Sequence, residues 1–239
     1  MSIIDPANQD QSLSSSARDT LEARYTFGRI VELEIDPVRG NFDSEHLCEV
    51  RRRIFQDLPL VGCKDVMPGQ YRPAALGADW MKNRVLSTVT GSFFVAYSDM
   101  HEAAQQRLAT LLSESKPIHL NKLATDEFVT HMAQLYTAVD YIHPFHDGNS
   151  RTLRTFTKQL AQKCGYDLDW SRFNGDEASR DALYIARDTG VNRLAMPHLQ
   201  HEQTMMKIAR SLTHLQGRDD LRTLLNGAIQ RRILPFPSP

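Results

Sequence analysis

The residues best suited to chemistry lie in twelve consecutive positions, His143-Pro-Phe-His-Asp-Gly-Asn-Ser-Arg-Thr-Leu-Arg154. The histidine that opens this run is a natural general base, because imidazole titrates near neutrality. Asp147 offers a hard oxygen ligand of the kind that Mg²⁺ prefers when it also bridges phosphates. Arg151 and Arg154 are three residues apart, so a helix would present both toward several phosphate oxygens. Together these residues indicate phosphate-transfer chemistry from a nucleotide.

Two helices joined by a short loop must position this run. Pro144 ends the first helix, because the residue before a proline avoids the helical region. The second helix is predicted to start near Ser150 and to continue to Cys164. Its first backbone N–H groups would form an anion site, and Gly148 would let a ligand approach them closely. The first helix is predicted over 125–141 from apolar residues that trace one face: Phe128, Met132, Leu135, Val139 and Ile142.

The rest of the chain also predicts helices, with one β element. One helix is expected to begin at the cap Ser44 and to be stopped by Pro59, and others are expected at 99–115, 177–188, 197–215 and 219–232. Glycines, prolines and β-prone runs between 60 and 97 indicate a loop region with a small hairpin. We therefore predict an all-α, mainly helical fold with a small β-hairpin. Residues 1–17 are predicted to be a flexible N-terminal segment and residues 233–239 a tail.

Composition narrows the class of protein. The formal net charge is -1 and 41% of the residues are hydrophobic, so we predict a globular protein with no nucleic-acid or membrane partner. The three cysteines form neither a zinc pattern nor a disulfide framework. The N-terminus lacks an apolar signal region. These features predict a cytoplasmic protein.

The twelve-residue run resembles the signature of the Fic (filamentation induced by cAMP) family, HPFx(D/E)GNGRxxR. It matches every defined position except Ser150, where the family usually has glycine. The segments that begin Gly40-Asn-Phe-Asp-Ser-Glu-His-Leu and Leu160-Ala-Gln-Lys-Cys-Gly-Tyr are similar to the family's flanking helices. The resemblance covers roughly residues 25–215. With a helical C-terminal extension, it assigns a Fic domain to residues 18–232.

The resemblance implies a protein adenylyltransferase that moves AMP from Mg·ATP onto a Ser, Thr or Tyr hydroxyl of a target protein. His143 would be the catalytic base and Asp147 the ligand of Mg²⁺. Phe145 would anchor the loop in the core. The residues implied to bind the nucleotide, through backbone N–H groups, the asparagine side chain and the two guanidinium groups, are Gly148, Asn149, Ser150, Arg151 and Arg154.

The resemblance also gives the hairpin a role. In the family this element is a flap that aligns an extended target segment by adding it as a strand. Residues 91–94 are the predicted edge for that addition. Tyr184 is a candidate for the adenine pocket.

Many members of the family are inhibited by a helix with the pattern (S/T)xxxE(G/N), whose glutamate pairs with the second signature arginine. Only Ser98/Glu102 and Thr110/Glu114 have the required spacing, and neither glutamate is followed by Gly or Asn. The sequence therefore predicts either a separate small antitoxin that supplies the glutamate, or delivery of the protein elsewhere as a translocated effector.

Three other functions remain compatible with the sequence. His143, His146, Asp147 and Asp140 could form the metal cluster of a phosphohydrolase. The domain could be a non-catalytic binding module that keeps the fold. A Fic enzyme could also transfer phosphate or a different nucleotide.

Overall fold

The computed structural model describes residues 15–74 and 79–232. The described residues form two compact units, and the division falls within one helix. One unit contains residues 15–38 and 48–70, and the other contains 39–47, 71–74 and 79–232. All of the predicted site residues belong to the second unit.

Helices dominate the described chain, which confirms the mainly helical fold. The helices are α1 (Ser15–Ile35), α2 (Ser44–Phe55), α3 (Glu102–Glu114), α4 (Pro117–Leu120), α5 (Thr125–Ile142), α6 (Asn149–Lys163), α7 (Glu177–Ala195), α8 (Glu202–His214) and α9 (Leu221–Ala228). The strands are β1 (Trp80–Arg84), β2 (Phe93–Tyr97), β3 (Tyr166–Leu168) and β4 (Ile229–Arg231). Short 3-10 helices cover Leu58–Val61, Trp170–Phe173 and Met196–His198.

Helix α5 is the centre of the second unit. The apolar face predicted for it is buried throughout, at Phe128, Met132, Leu135, Val139 and Ile142. Helices α3, α6, α7 and α9 pack around it. An amphipathic helix gains most of its stability from such packing rather than from intrinsic propensity. His143 therefore lies at the end of a helix that is packed on several sides.

Side-chain caps define where several helices begin. Asp43 accepts a hydrogen bond from the backbone N–H of His46, so Asp43 rather than the predicted Ser44 caps α2. Asp176 and Asp220 accept in the same way at the starts of α7 and α9. Each cap satisfies a backbone donor that has no partner within its helix.

The predicted hairpin is present, with β1 and β2 antiparallel and Lys82 opposite Val95. A second two-stranded sheet was not predicted. In it β4 pairs with β3, so the helix expected over 219–232 ends at Ala228 and residues 229–231 are extended. Helix α7 continues to Ala195, beyond its predicted end at 188. Pairing between segments so distant in the chain has no local sequence signal.

The predicted ends of the chain fall largely outside the described residues. Of the segment predicted to be flexible, residues 1–14 are not described, and the last three residues form the first turn of α1. The predicted tail at 233–239 is not described either. Among the helices that are described, none combines the length and apolar character needed to cross a bilayer.

Candidate active site

The junction between α5 and α6 turns on a histidine with an unusual backbone. His143 has φ 49° and ψ 59°, in the left-handed region that non-glycine residues rarely occupy. Its N–H still donates to the Val139 carbonyl at 3.0 Å, so it ends α5 directly. Pro144 follows and prevents further helix. The strained conformation sets the direction in which the imidazole leaves the helix.

Arg72 holds this helix end in place and was not identified from the sequence. Its Nε donates to the His143 carbonyl at 2.7 Å, and its Nη2 lies 3.3 Å from the Ile142 carbonyl. Its guanidinium stacks on the Trp80 ring, 3.4 Å from the centroid. Burial lowers the pKa of Arg72 to about 10, which still leaves it charged at neutral pH. A cation at a helix C-terminus is stabilised by the exposed carbonyls of the last turn.

The imidazole of His143 is enclosed by aromatic rings and is only 5% exposed. The Tyr97 ring lies 3.8 Å away between centroids, and the Trp80 ring meets it edge-on at 5.8 Å. Among the described residues, neither ring nitrogen has a hydrogen-bond partner. Burial lowers the pKa of His143 to about 4, although the nearby Asp140 carboxylate opposes this shift. The imidazole is therefore neutral at pH 7, as a proton acceptor must be.

A buried ion pair lies behind the histidine. Arg187 of α7 contacts Asp140 Oδ2 at 2.7 Å, with both residues at most 2% exposed. Burial alone would raise the pKa of Asp140, but the charge of Arg187, together with the neighbouring His143 ring, outweighs it and keeps that pKa well below its usual range. Asp140 Oδ1 lies 3.7 Å from His143 Nδ1, too far for a hydrogen bond but close enough for electrostatic attraction. The sequence had suggested Asp140 only as a metal ligand, and Arg187 not at all.

The loop after His143 is closed by Asn149. Its side-chain Oδ1 accepts from the Phe145 N–H at 2.9 Å, and its Nδ2 donates to the Phe145 carbonyl at 2.6 Å. Phe145 is buried, as expected of an anchor. The Oδ1 atom and one Nδ2 hydrogen are thus used by the loop, which leaves the second Nδ2 hydrogen and the backbone N–H outside these two bonds. The predicted contact of Asn149 with phosphate stays a prediction.

The predicted anion site would lie at Gly148 and the start of α6. Gly148 has φ 72°, which a glycine adopts without strain. The first hydrogen bond of α6 runs from the Thr152 N–H to the Gly148 carbonyl. The N–H groups of Asn149 and Ser150 therefore have no acceptor within the helix. Such a terminus attracts phosphate through these donors and through the helix dipole.

Asp147 lies on the exposed side of the loop, with its side chain 62% accessible. It contacts Lys82 of β1 at 3.6 Å and the neighbouring His146 at 2.8 Å. One accessible carboxylate next to an anion site fits Mg²⁺, which usually binds through one or two carboxylates, waters and substrate phosphates. No group of three potential His, Cys, Asp or Glu ligands occurs within residues 15–74 and 79–232. The metal cluster considered for a phosphohydrolase therefore has no support in that part of the chain.

The two signature arginines lie on α6 and are both partly exposed. Arg154 Nη1 is 3.4 Å from the Asn174 side chain, and its guanidinium lies 5.7 Å from the centre of the Trp170 ring. Within the described residues no carboxylate pairs with Arg154. Glu102 and Glu114, the glutamates with inhibitory spacing, are exposed at the two ends of α3.

Ser150, the position that departs from the signature, has a defined partner. Its hydroxyl lies 3.3 Å from Arg187 Nη1, so it joins the start of α6 to the Arg187–Asp140 ion pair. The Tyr184 ring lies beside the same guanidinium, 5.6 Å from it, and 5.0 Å from that of Arg84. Tyr184 is partly buried and packs on an apolar cluster with Ile185 and Phe93. Its predicted contact with adenine stays a prediction.

Within the part of the chain that the structure describes, the hairpin has one occupied edge and one free edge. On β2, the N–H and carbonyl of Phe94 bond to the side chains of Ser211 and Asn192, and the Ala96 N–H bonds to Asn192 as well. The prediction that residues 91–94 form the edge for strand addition is therefore wrong at Phe94. By the alternation of an antiparallel ladder, Met81 and Asn83 of β1 direct their backbone groups outward. The free edge is that of β1.

Comparison with known proteins agrees with the fold and the signature. The family model described as Fic/DOC family matches residues 41–161, half of the chain. Because this model matches half of the chain, the chain belongs to the Fic/DOC family.

Similar proteins come from several bacteria. The protein adenylyltransferase VbhT of Bartonella schoenbuchensis is 28% identical over 69% of this chain, and the match spans 30% of VbhT. A Salmonella typhimurium protein named "Probable protein adenylyltransferase Fic" is 28% identical over 68% of each chain. The N-terminal Fic domain of a VirB-translocated Bep effector of Bartonella quintana, solved with bound ADP, superposes with a TM-score of 0.59 at 17% identity, covering 94% of this chain and 90% of that domain. At this identity the superposition establishes the fold alone.

Proposed function

We propose that this chain is a protein adenylyltransferase that moves AMP from Mg·ATP to a hydroxyl group of a target protein. The observation that carries the proposal is the junction itself. There a buried neutral histidine adjoins a helix N-terminus whose first N–H groups have no acceptor within the helix, two arginines and an exposed aspartate. The names of VbhT and of the Salmonella protein support the same activity. Because the chain spans only 30% of VbhT, the activity is inferred for this chain from its own site.

His143 is the proposed general base. It takes the proton of the target hydroxyl while the hydroxyl oxygen attacks the α-phosphorus of ATP in line. The new bond joins that oxygen to phosphorus, and the bond between the α- and β-phosphates breaks, releasing pyrophosphate. Aromatic rings enclose the imidazole, which is almost completely buried, and its low pKa leaves the ring free to accept the proton. Positioning and charge stabilisation supply most of the acceleration in reactions of this class.

The ATP phosphates are proposed to bind at the start of α6. The backbone at Gly148, Asn149 and Ser150 would contact the phosphate oxygens, while Arg151 and Arg154 hold the β- and γ-phosphates. Asp147 would hold Mg²⁺, which neutralises the charge that develops on the phosphates when it is bound. Lys82, now 3.6 Å from Asp147, would be close enough to contact the same phosphates.

The target segment is proposed to add as a strand to the free edge of β1. This edge adjoins the chemistry, since Trp80 of β1 contacts His143 and Lys82 contacts Asp147. An Asn83→Pro substitution removes one outward N–H without breaking the pairing with β2. We expect it to reduce modification of the target but not the binding of ATP. The Asn83→Ala variant, which keeps the N–H, is the matched control, and equal loss in both variants would contradict strand addition.

Regulation by a separate small antitoxin is proposed from the environment of Arg154. Within the described chain this guanidinium has no carboxylate partner, so a glutamate supplied by another protein could pair with it. Replacing Glu102 and Glu114 by glutamine together should leave the activity unchanged. A large activation of that variant would instead indicate an internal inhibitor.

The site of action is proposed to be cytoplasm, either that of the producing cell or that of a cell into which the protein is delivered. The description of the Bartonella quintana protein as VirB-translocated supports delivery into another cell. A reporter fusion that is active only in the cytoplasm of a recipient cell tests delivery.

One experiment tests the proposed function directly. The protein and a His143→Ala control are incubated with a cell lysate and ATP labelled at the α- or the γ-phosphate. We expect protein-bound label from α-labelled ATP alone, dependent on His143. Label from γ-labelled ATP would indicate phosphate transfer, and no label from either would overturn the enzymatic proposal.

A further inference from the structure

The carboxylate of Asp140 lies behind His143, within reach of the imidazole ring, and bears on which ring nitrogen carries the proton. Asp140 lies one helical turn before His143 on α5, and its Oδ1 is the polar atom that faces Nδ1, at 3.7 Å. Its Oδ1 has no hydrogen-bond partner among the described residues. Its other oxygen is already committed, because Arg187 Nε and Nη2 both donate to Oδ2, at 3.1 and 2.7 Å.

Resting on the proposed function, we propose that Asp140 is a positioning residue: it holds the Nδ1-protonated form of His143, so that Nε2 is the atom that accepts the proton of the target hydroxyl. A buried carboxylate with an unsatisfied oxygen is stabilised by an N–H donor, and Nδ1–H is the one within reach. Once Nε2 is protonated, the same carboxylate stabilises the imidazolium. Hydrogen bonds of this kind are often long before substrate binds and shorten in the reacting complex.

The other polar and charged groups around the ring do not determine which ring nitrogen carries the proton. Arg72 bonds to the His143 carbonyl rather than to the ring. Lys82 of β1 is a cation and opposes protonation of the imidazole, as does Arg72. Tyr97 of β2 stacks on the face of the ring and keeps its proton, because burial raises its pKa far above neutrality. Asp140 is thus the anion that faces the ring nitrogens from these elements.

Arg187 fixes the carboxylate and connects it to the nucleotide site. Its Nη1 contacts the Ser150 hydroxyl at 3.3 Å, on the second residue of α6. Occupation of the anion site and orientation of the base are therefore linked through one guanidinium. Glycine at position 150 would lack this contact, so the link depends on the residue by which this chain departs from the signature.

The decisive variant is Asp140→Asn. Arg187 can only donate, so the side-chain oxygen of the new asparagine would remain on Arg187 and its NH₂ would face Nδ1 of His143. Nδ1 would then become an acceptor, the ring proton would move to Nε2, and the base would be blocked. We expect kcat for transfer to fall roughly tenfold or more, as for other wrong-tautomer variants, with the KM for ATP unchanged. The matched control is Asp188→Asn, which alters another buried aspartate paired with an arginine, Arg84, without facing His143.

The tautomer itself is measured by ¹⁵N NMR of the imidazole at pH 7, with His143→Gln used to assign the signal. We expect the Nδ1–H form in the unmodified protein and in Asp188→Asn, and the Nε2–H form in Asp140→Asn. The Nε2–H form in the unmodified protein, or an unchanged tautomer with unchanged kcat in Asp140→Asn, would overturn the inference. This readout needs no turnover, so absence of AMP transfer would refute the proposed function while the tautomer still decides the role of Asp140.

A second variant covers the case in which Asp140→Asn does not fold. The pair Asp140→Leu with Arg187→Met removes both charges and leaves neither buried alone, which proteins often tolerate. We expect the Nδ1–H preference to be lost in this variant too. A preserved preference in a folded double variant would show that the carboxylate is not its source.

Discussion

The two sides of the α5–α6 junction differ in their exposure to solvent. On the α5 side, His143, Asp140 and Arg187 are almost completely buried. On the α6 side, Asp147 is exposed and the two signature arginines are partly exposed. The buried side keeps the imidazole neutral, as the proposed base requires, while the accessible side offers the proposed site for a charged nucleotide and its metal ion. The twelve residues from His143 to Arg154 thus lie in two environments, one buried and one accessible to solvent, because the loop separates the ends of the two helices.

The largest expected effect comes from removing the base on the buried side. His143→Ala should reduce the rate of AMP transfer by about a hundredfold or more, the contribution typical of a positioned general base. The affinity for ATP, measured by titration calorimetry, should not change, because the histidine does not contact the nucleotide in the proposed arrangement. A large loss of ATP affinity would mean that the two sides are not separate.

On the accessible side, a substitution should weaken the binding of ATP instead. Arg154→Ala should weaken ATP binding by about 10- to 100-fold, the range for losing charge-assisted hydrogen bonds. The Lys163→Ala variant, in the exposed last turn of the same helix, is the control. If Arg154→Ala lowers kcat without affecting ATP binding, the proposed phosphate contact is wrong.

The buried side should also respond to pH. The pKa of His143 is lowered from 6.5 to about 4 in the folded chain, so between these values the unfolded chain binds the additional proton. Stability conferred by the neutral ring is present above pH 6.5 and is lost as the pH falls toward 4. We expect this one group to remove about 2 kcal/mol of unfolding free energy between pH 7 and pH 5.

Denaturant unfolding at several pH values measures this loss. The His143→Asn variant cannot take up the proton and should lose correspondingly less stability over the same interval. Equal slopes in the two proteins would show that His143 is more solvated than its burial implies.

The smallest effect is expected at the residue that links the two sides. Ser150→Gly restores the usual signature and removes the hydrogen bond to Arg187, so stability should fall by about 1 kcal/mol. AMP transfer should persist in both proteins at similar rates. A protein that is inert with Ser150 and active with glycine would show instead that the hydroxyl obstructs the nucleotide.

Much of the local structure followed from the sequence. The apolar period of α5, the proline after His143 and the glycine before α6 act over a few residues, so their outcome could be predicted. The mainly helical fold and the hairpin were confirmed for the same reason. The cap of α2 was misplaced by one residue, because Asp43 and Ser44 are equally suitable caps. The end of the last predicted helix is instead strand β4, because it pairs with the distant strand β3.

What the sequence determined by itself is the order of chemical groups from His143 to Arg154, which is enough to predict a phosphate-binding helix terminus with a base beside it. Only the tertiary structure decided that His143 is buried and neutral, that Arg72 bonds to its carbonyl while Arg187 binds the Asp140 behind it, and that β1 rather than β2 has the free edge. Arg72 and Arg187 are separated from His143 by 71 and 44 positions in the chain. Burial and charge pairing depend on which distant surfaces meet, and no local pattern encodes that.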